Sequence, residues 1–304
     1  MTYSMLRRRD FLKMGGTAMA LAGLETVGLT ADDPPPKKRP IKKAIMYATI
    51  GYPGSVMEKL KAVKAAGFEG VEPMSHMKQD EVLKALEETG LKAASVCCAT
   101  HWDKPLSSPD ENVRREGVEG LVQALKDAQR YGASSVLLVP GRVIKDKTKE
   151  VTFDDCWQRS IPEIRKAIPT AEKLGVKIAI ENVWNEFITK VDQATDYLEA
   201  IDSPMVGWHF DIGNVVRFSP PETWIPVLGK RILKLHVKEW GKLKPNNGFG
   251  VRFLEGDNHW PAIMKALDDV GYQGWGITEQ PGEQSKDADL MRDLSSRFDK
   301  ILAS

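Results

Sequence analysis

From residue 43 onward the chain switches eight times between a short apolar run and a longer segment of helical periodicity. That alternation is the pattern of βα units on a parallel sheet, because strands covered on both faces read as continuous apolar runs and the crossing helices as amphipathic stretches. The runs are 44–50, 70–73, 93–99, 135–139, 177–180, 206–210, 232–237 and 274–278. Helices are predicted at 56–66, 81–89, 112–131, 161–174, 193–201, 221–228, 261–270 and 288–302. Gly67, Gly90, Gly132, Gly175 and Gly271 stand where a left-handed cap would end five of them. Eight such units over roughly 260 residues predict an α/β protein of the (β/α)8 TIM barrel type rather than an open Rossmann-like sheet. Neither GxGxxG nor GxxxxGK with a following Ser or Thr comes after any run, so the phosphate loops that open sheets often carry are missing.

At 304 residues the chain is long enough for two ordinary domains, but the eight units take up residues 43–304 as one. Hydrophobic residues at 42% and charged residues at 28% are ordinary for a globular protein and argue against disorder or a fibrous repeat. Lysine and arginine number 43 against 42 acidic residues, which removes any global electrostatic reason to expect a nucleic-acid or membrane-surface partner. The cysteines are three, Cys97, Cys98 and Cys156, too few and wrongly spaced for a disulfide framework or a CxxC metal site.

The amino terminus reads differently. Arg7-Arg8-Arg9-Asp10-Phe11-Leu12-Lys13 precedes an uncharged stretch of small and apolar residues, 14–24, and resembles a twin-arginine export signal. The apolar stretch is too short for a stable membrane anchor. Residues 1–31 are therefore expected to be a cleaved signal, with the cut near Thr30-Ala31, and the mature chain to be periplasmic. Loss of four basic and two acidic residues moves the net charge from +1 to −1. Residues 32–42, rich in proline and basic residues, are expected to be an extended linker.

In a barrel of this kind, residues at the carboxyl ends of the strands line the functional face. The fifth run ends in Glu181, the sixth in Asp211, the seventh carries His236 and the eighth ends in Glu279. Three carboxylates and an imidazole converging at an apolar mouth would repel one another unless a cation neutralised them. Oxygen and nitrogen donors suit a hard-to-borderline divalent ion. Mn²⁺ is the expected ion, with Mg²⁺, Co²⁺ and Zn²⁺ as further fits. Taken singly, Asp211 could cap the next turn and His236 could be a satisfied core histidine; their joint placement on four successive strands favours a shared ion. His101 and Trp102 follow the third run and Trp184 the fifth, where an indole could stack on a sugar and an imidazole bond to it. Arg252 lies in residues 241–258, the longest break between units after the linker and a place for substrate contacts. His209, two residues before Asp211, shares its side of the strand and is expected to support the site rather than to ligate.

At this point the sequence resembles the sugar phosphate isomerase/epimerase family, the xylose-isomerase-like barrels that include hydroxypyruvate isomerases and ketose 3-epimerases. The resemblance rests on Ile180-Glu181-Asn182, Phe210-Asp211-Ile212-Gly213-Asn214, Leu235-His236-Val237-Lys238-Glu239 and the segment from Gly271 to Glu279. Gly70-Val71-Glu72 is only supportive. The resemblance implies that Glu181, Asp211, His236 and Glu279 bind one metal ion, and that Glu181 and Glu279 flank the substrate and move protons. A base would remove a proton next to a carbonyl, and a Lewis-acidic cation would hold the enediolate oxygen. Return of the proton to the opposite face gives epimerisation, and return to the neighbouring carbon gives isomerisation. Many relatives have His where this chain has Asn214, which puts substrate preference in question more than metal binding. Lys238 is expected to meet a substrate oxygen or to pair with Glu239.

The expected partner is a small sugar or hydroxy-carbonyl compound, with no nucleic acid and with homo-oligomerisation left open. Two other readings belong beside this one. An apurinic-site endonuclease-like phosphodiesterase would need more histidines than the five present and a basic groove. A non-catalytic sugar-binding barrel would have no use for both glutamates.

Overall fold

The computed structural model describes residues 38–146, 150–242 and 248–304; the expected signal, residues 1–31, lies outside them, as does residues 32–37 of the expected linker. The strands are β1 (Ile41–Met46), β2 (Gly70–Glu72), β3 (Lys92–Ala93), β4 (Val96–Cys97), β5 (Ser135–Leu138), β6 (Lys177–Glu181), β7 (Val206–Asp211), β8 (Ile232–Val237) and β9 (Gly274–Thr278). They form one parallel sheet in the order β3-β2-β1-β9-β8-β7-β6-β5-β4. The third apolar run supplies both of its ends. It breaks at Ala94-Ser95 into β3, which pairs with β2, and β4, which pairs with β5. A parallel bridge between Met74 and Cys97 carries the wall across the break, so the predicted barrel is formed with an interrupted third stave.

The helices are α1 (Val56–Ala65), α2 (Gln79–Thr89), α3 (Glu111–Tyr131), α4 (Phe153–Leu174), α5 (Val191–Ile201), α6 (Ile212–Val216), α7 (Pro221–Leu228), α8 (Trp260–Asp269) and α9 (Ala288–Ala303). Their apolar faces pack on the outside of the sheet in one continuous core. Gly90, Gly132 and Gly175 are left-handed caps as expected. Two elements start three or more residues earlier than expected. α4 begins eight residues early, where Thr152 accepts from the Asp155 amide and the Asp155 carboxylate accepts from the Thr152 amide. β1 begins at Ile41, inside the expected linker, because Lys43 is buried: its Nζ bonds Ser295 Oγ at 2.9 Å and Asp299 Oδ1 at 2.6 Å on α9. No helix among the described residues is long and apolar enough to cross a membrane.

One irregularity in the sheet decides what the mouth of the barrel presents. The β7–β8 ladder pairs Trp208 with Ile232 but His209 with Lys234, skipping Leu233. In a regular ladder Asp211 would lie beside Leu235. The slip brings it beside His236 instead. Gly207 makes room for the extra residue, since a Cβ there would meet Leu233 Cγ at 2.6 Å.

Candidate active site

Glu181 closes β6, Asp211 closes β7, His236 lies one residue from the end of β8, and Glu279 follows β9. The structure brings these four side chains together: one ligand-type atom from each lies within 4.8 Å of the others. His236 Nδ1 is 2.8 Å from Glu181 Oε1, 3.5 Å from Glu279 Oε2 and 3.8 Å from Asp211 Oδ2. Glu181, Asp211 and His236 are buried, and Glu279 is partly open to the cavity above.

Asp211 divides its carboxylate between two tasks. Oδ1 accepts from the Asn214 amide at 2.8 Å, capping α6, while Oδ2 is buried without a hydrogen-bond partner and lies 3.6 Å from Lys238 Nζ. The expected cap thus uses one oxygen and leaves the other free among the neighbouring acidic and basic groups. Asn182 fixes the strand end beneath it: Oδ1 accepts from the Asp211 amide and from Trp208 Nε1, each at 3.0 Å, and Nδ2 donates to the Asp211 carbonyl at 2.8 Å.

Burial pushes the Glu181 carboxyl up to about 7, against the pull of His236. It pushes Asp211 up to about 6, against Lys238. Glu279 goes the other way: burial would raise it, but Lys238 Nζ at 2.6 Å and the His236 ring hold it below the usual carboxylate range. Burial works against a charge on His236, yet Glu72, Glu181 and Glu279 keep the ring protonated well above its ordinary range. Without a cation, one imidazolium and one ammonium hold the carboxylates together. The fit for a divalent ion follows from the same atoms. Three carboxylates and one imidazole form a hard donor set, and the unpartnered Asp211 Oδ2 belongs to it. Cys97 lines the cavity, but burial and the nearby glutamates keep its thiol neutral and unsuited to ligation.

A cavity of about 260 Å³ lies above these groups. Glu181, Glu279, Lys238, Asn214 and His101 face it, and Trp102 and Trp184, 45% and 38% exposed, stand at its rim. His101 Nδ1 accepts from the Val139 amide at 3.2 Å. Burial pushes this ring down to about 4, so it is neutral at pH 7 with its proton on Nε2, a donor for a substrate oxygen. Asn214 Nδ2 donates to the Asn182 carbonyl at 3.0 Å. Trp184 donates from Nε1 to the Asn214 carbonyl at 2.7 Å and packs on Phe249 with ring centroids 4.6 Å apart.

Of the residues expected at the site, His101, Trp184, Asn214 and Lys238 line the cavity, and Arg252 does not. Its neighbours Val251 and Phe253 are buried in the core, which turns Arg252 outward to within 3.8 Å of Asp293 Oδ2 on α9. Lys238 pairs with Glu279 and not with Glu239. The Glu239 carboxylate instead organises the loop before α8, accepting from the Leu254 and Asn258 amides and from Trp260 Nε1 at 2.7 Å. Near the start of that loop Gly241 and Gly248 exchange backbone hydrogen bonds of 3.1 and 2.7 Å. Sequence reasoning missed Phe249, the Asn182 network and the full engagement of Glu72, which lies beneath the ligands with Oε2 2.9 Å from His236 Nε2. The ionisable end of the short second run was the available signal for Glu72.

A family model described as a xylose isomerase-like TIM barrel matches residues 60–301. Over 246 residues the chain is 26% identical to the L-ribulose-5-phosphate 3-epimerase UlaE of Escherichia coli O157:H7 (strain EC4115 / EHEC), covering 76% of this chain and 84% of that protein. The fold superposes on the crystal structure of the 3-keto-D-glucoside 4-epimerase YcjR from E. coli with a TM-score of 0.73 at 16% identity, over 86% of this chain and 98% of that one. It also superposes on D-psicose 3-epimerase from Clostridium cellulolyticum H10 with a TM-score of 0.71 at 20% identity, over 87% of this chain and all of the other.

Proposed function

This chain belongs to the xylose isomerase-like TIM barrel family, and from that premise we propose that it is a metal-dependent sugar epimerase that moves a proton on and off a carbon next to a carbonyl. The observation that carries the reading is the convergence of Glu181, Asp211, His236 and Glu279 beneath one cavity. These four would hold the ion, with Mn²⁺ the first choice for the donor set. A divalent cation there supplies Lewis acidity toward the negative charge that develops on the substrate's carbonyl oxygen.

The remaining chemistry belongs to the chain. Lys238 Nζ lies 2.6 Å from Glu279 and would hold its carboxylate in place to exchange a proton with the substrate. Glu181, ionised once the ion is bound, would share this acid–base work from its own strand. The two glutamates stand on strands separated by β7 and β8, so acceptor and donor approach from different sides of the cavity. Acceptance on one face and return on the other inverts the carbon. The relatives are named as 3- and 4-epimerases, which supports epimerisation over isomerisation. His101 Nε2–H and the two rim indoles would orient the sugar. We further propose that residues 1–31 direct export to the periplasm by the twin-arginine route, on the strength of Arg7-Arg8-Arg9 and the apolar stretch that follows.

The test is proton exchange. The Mn²⁺-loaded chain in D2O is expected to replace the carbon-bound proton beside the carbonyl of at least one of D-psicose, L-ribulose, L-ribulose 5-phosphate and a 3-keto-D-glucoside, with the epimer accumulating in the NMR spectrum. No exchange in any of them overturns the proposal. Cation uptake should also depend on pH with a definite sign. The metal-free site holds protons on Glu181 below about 7 and on Asp211 below about 6, and these must leave when the ion enters. Affinity measured by competition with a chelator is therefore expected to fall on acidification from pH 8 to 5, by about tenfold per pH unit for each proton displaced. His236 gives up a proton as well, so a slope no steeper than that single proton would exclude these carboxylates as ligands.

A further inference from the structure

Glu72, at the end of β2, is fully buried, and it reaches across the barrel to a residue 164 positions away. Its Oε2 lies 2.9 Å from His236 Nε2, while Oε1 has no hydrogen-bond partner and is 4.0 Å from His209 Nδ1. Glu72 is not part of the cavity lining, so it cannot meet substrate directly. The other nitrogen of His236, Nδ1, is the one that faces Glu181, Asp211 and Glu279. An imidazole can offer a metal only a nitrogen without a proton, and a neutral ring carries its proton on the other nitrogen. A carboxylate placed on that second nitrogen holds the proton there, fixes the ring's rotation and makes the first nitrogen a stronger donor.

Resting on the reading of the four-residue site as a metal centre, we propose that Glu72 is a positioning residue: it accepts the Nε2 proton of His236 and so commits Nδ1 to the cation. A carboxylate buried this deeply is unfavourable without such a partner. Lys234, which precedes His236 by two residues in β8, is near enough to feel the charge of Glu72 but is hydrogen-bonded to Ser134 Oγ at 2.8 Å. His209 packs edge-on against the His236 ring with centroids 4.2 Å apart and blocks the ring from turning over.

The experiment compares full-length wild type with Glu72→Gln and Glu72→Leu, using zinc as the probe. Zinc affinity is read by chelator competition, stoichiometry by atomic spectroscopy, and the state of His236 by NMR of selectively ¹⁵N-labelled histidine. The Leu variant is expected to lose about 10- to 100-fold in affinity. The Gln variant, whose amide oxygen still accepts from Nε2–H and whose shape preserves the core, is expected to keep most of it. In zinc-loaded wild type the coordinating histidine should carry its proton on Nε2; in the Gln variant that proton should remain and move upfield, because a neutral amide is the weaker acceptor. Equal affinity in all three proteins overturns the proposal and leaves the metal centre standing. Two zinc ions per wild-type chain with Nε2 bare also overturns it, since Glu72, His209 and His236 would then be a second ligand set. A wild type that takes up no zinc removes the metal centre and this role together.

Discussion

Glu279→Gln is expected to slow exchange of the substrate's carbon-bound proton by about 10²- to 10⁴-fold, the range associated with loss of a positioned acid–base group. The substitution is close to isosteric, so the cavity keeps its shape. What disappears is a carboxylate, held by Lys238 Nζ at 2.6 Å, that can move a proton. Because Glu279 is also counted among the ligands, the comparison must be made at saturating Mn²⁺ with bound metal measured in the same sample. Full exchange at full metal content would take Glu279 out of proton transfer. A loss of exchange in proportion to lost metal would make it a ligand alone.

The second large effect is expected from Asp211→Asn. The capping interaction orients the new side chain: its carbonyl oxygen can accept from the Asn214 amide as Oδ1 does now, which leaves the NH2 group where Oδ2 was. The buried, unpartnered oxygen proposed as a ligand is thereby exchanged for a donor, with the α6 cap intact. Metal content after dialysis is expected to fall to near zero and proton exchange by at least about 10²-fold, in keeping with the several kcal/mol that a Lewis acid contributes. Thermal unfolding provides the control. Added Mn²⁺ should raise the melting temperature of the wild type, since an ion that binds only the folded state stabilises it, and should leave that of the variant unmoved. A variant that still gains stability from Mn²⁺ would show that Asp211 is not a ligand.

Glu181, Asp211 and Glu279 were legible because each is a polar full stop on an apolar run, and His236 because it interrupts one, signals carried by a few adjacent residues. What stayed hidden depends on geometry that short windows do not encode. The break at Ala94-Ser95 falls inside an unbroken apolar run, so pattern alone reads one strand where the sheet has two. The slip at Leu233, without which Asp211 would not face His236, leaves no mark in composition. Glu72 ends a strand of only three residues, and its partner is 164 positions away. Lys238 and Glu239 are a different case, since neighbours in extended chain point to opposite sides, and that rule argued against pairing them before any coordinates. Arg252 shows the opposite hazard: a loop at the functional end of a barrel invites a role for its arginine, while the buried residues on either side turn it away.

The loop before α8 is joined to itself at Gly241 and Gly248 and tied down beyond them by Glu239. The three bonds to Glu239 thereby hold the start of α8 against the end of the strand that carries His236. In evolutionary terms Glu239 is a residue that the scaffold, rather than the chemistry, would hold in place.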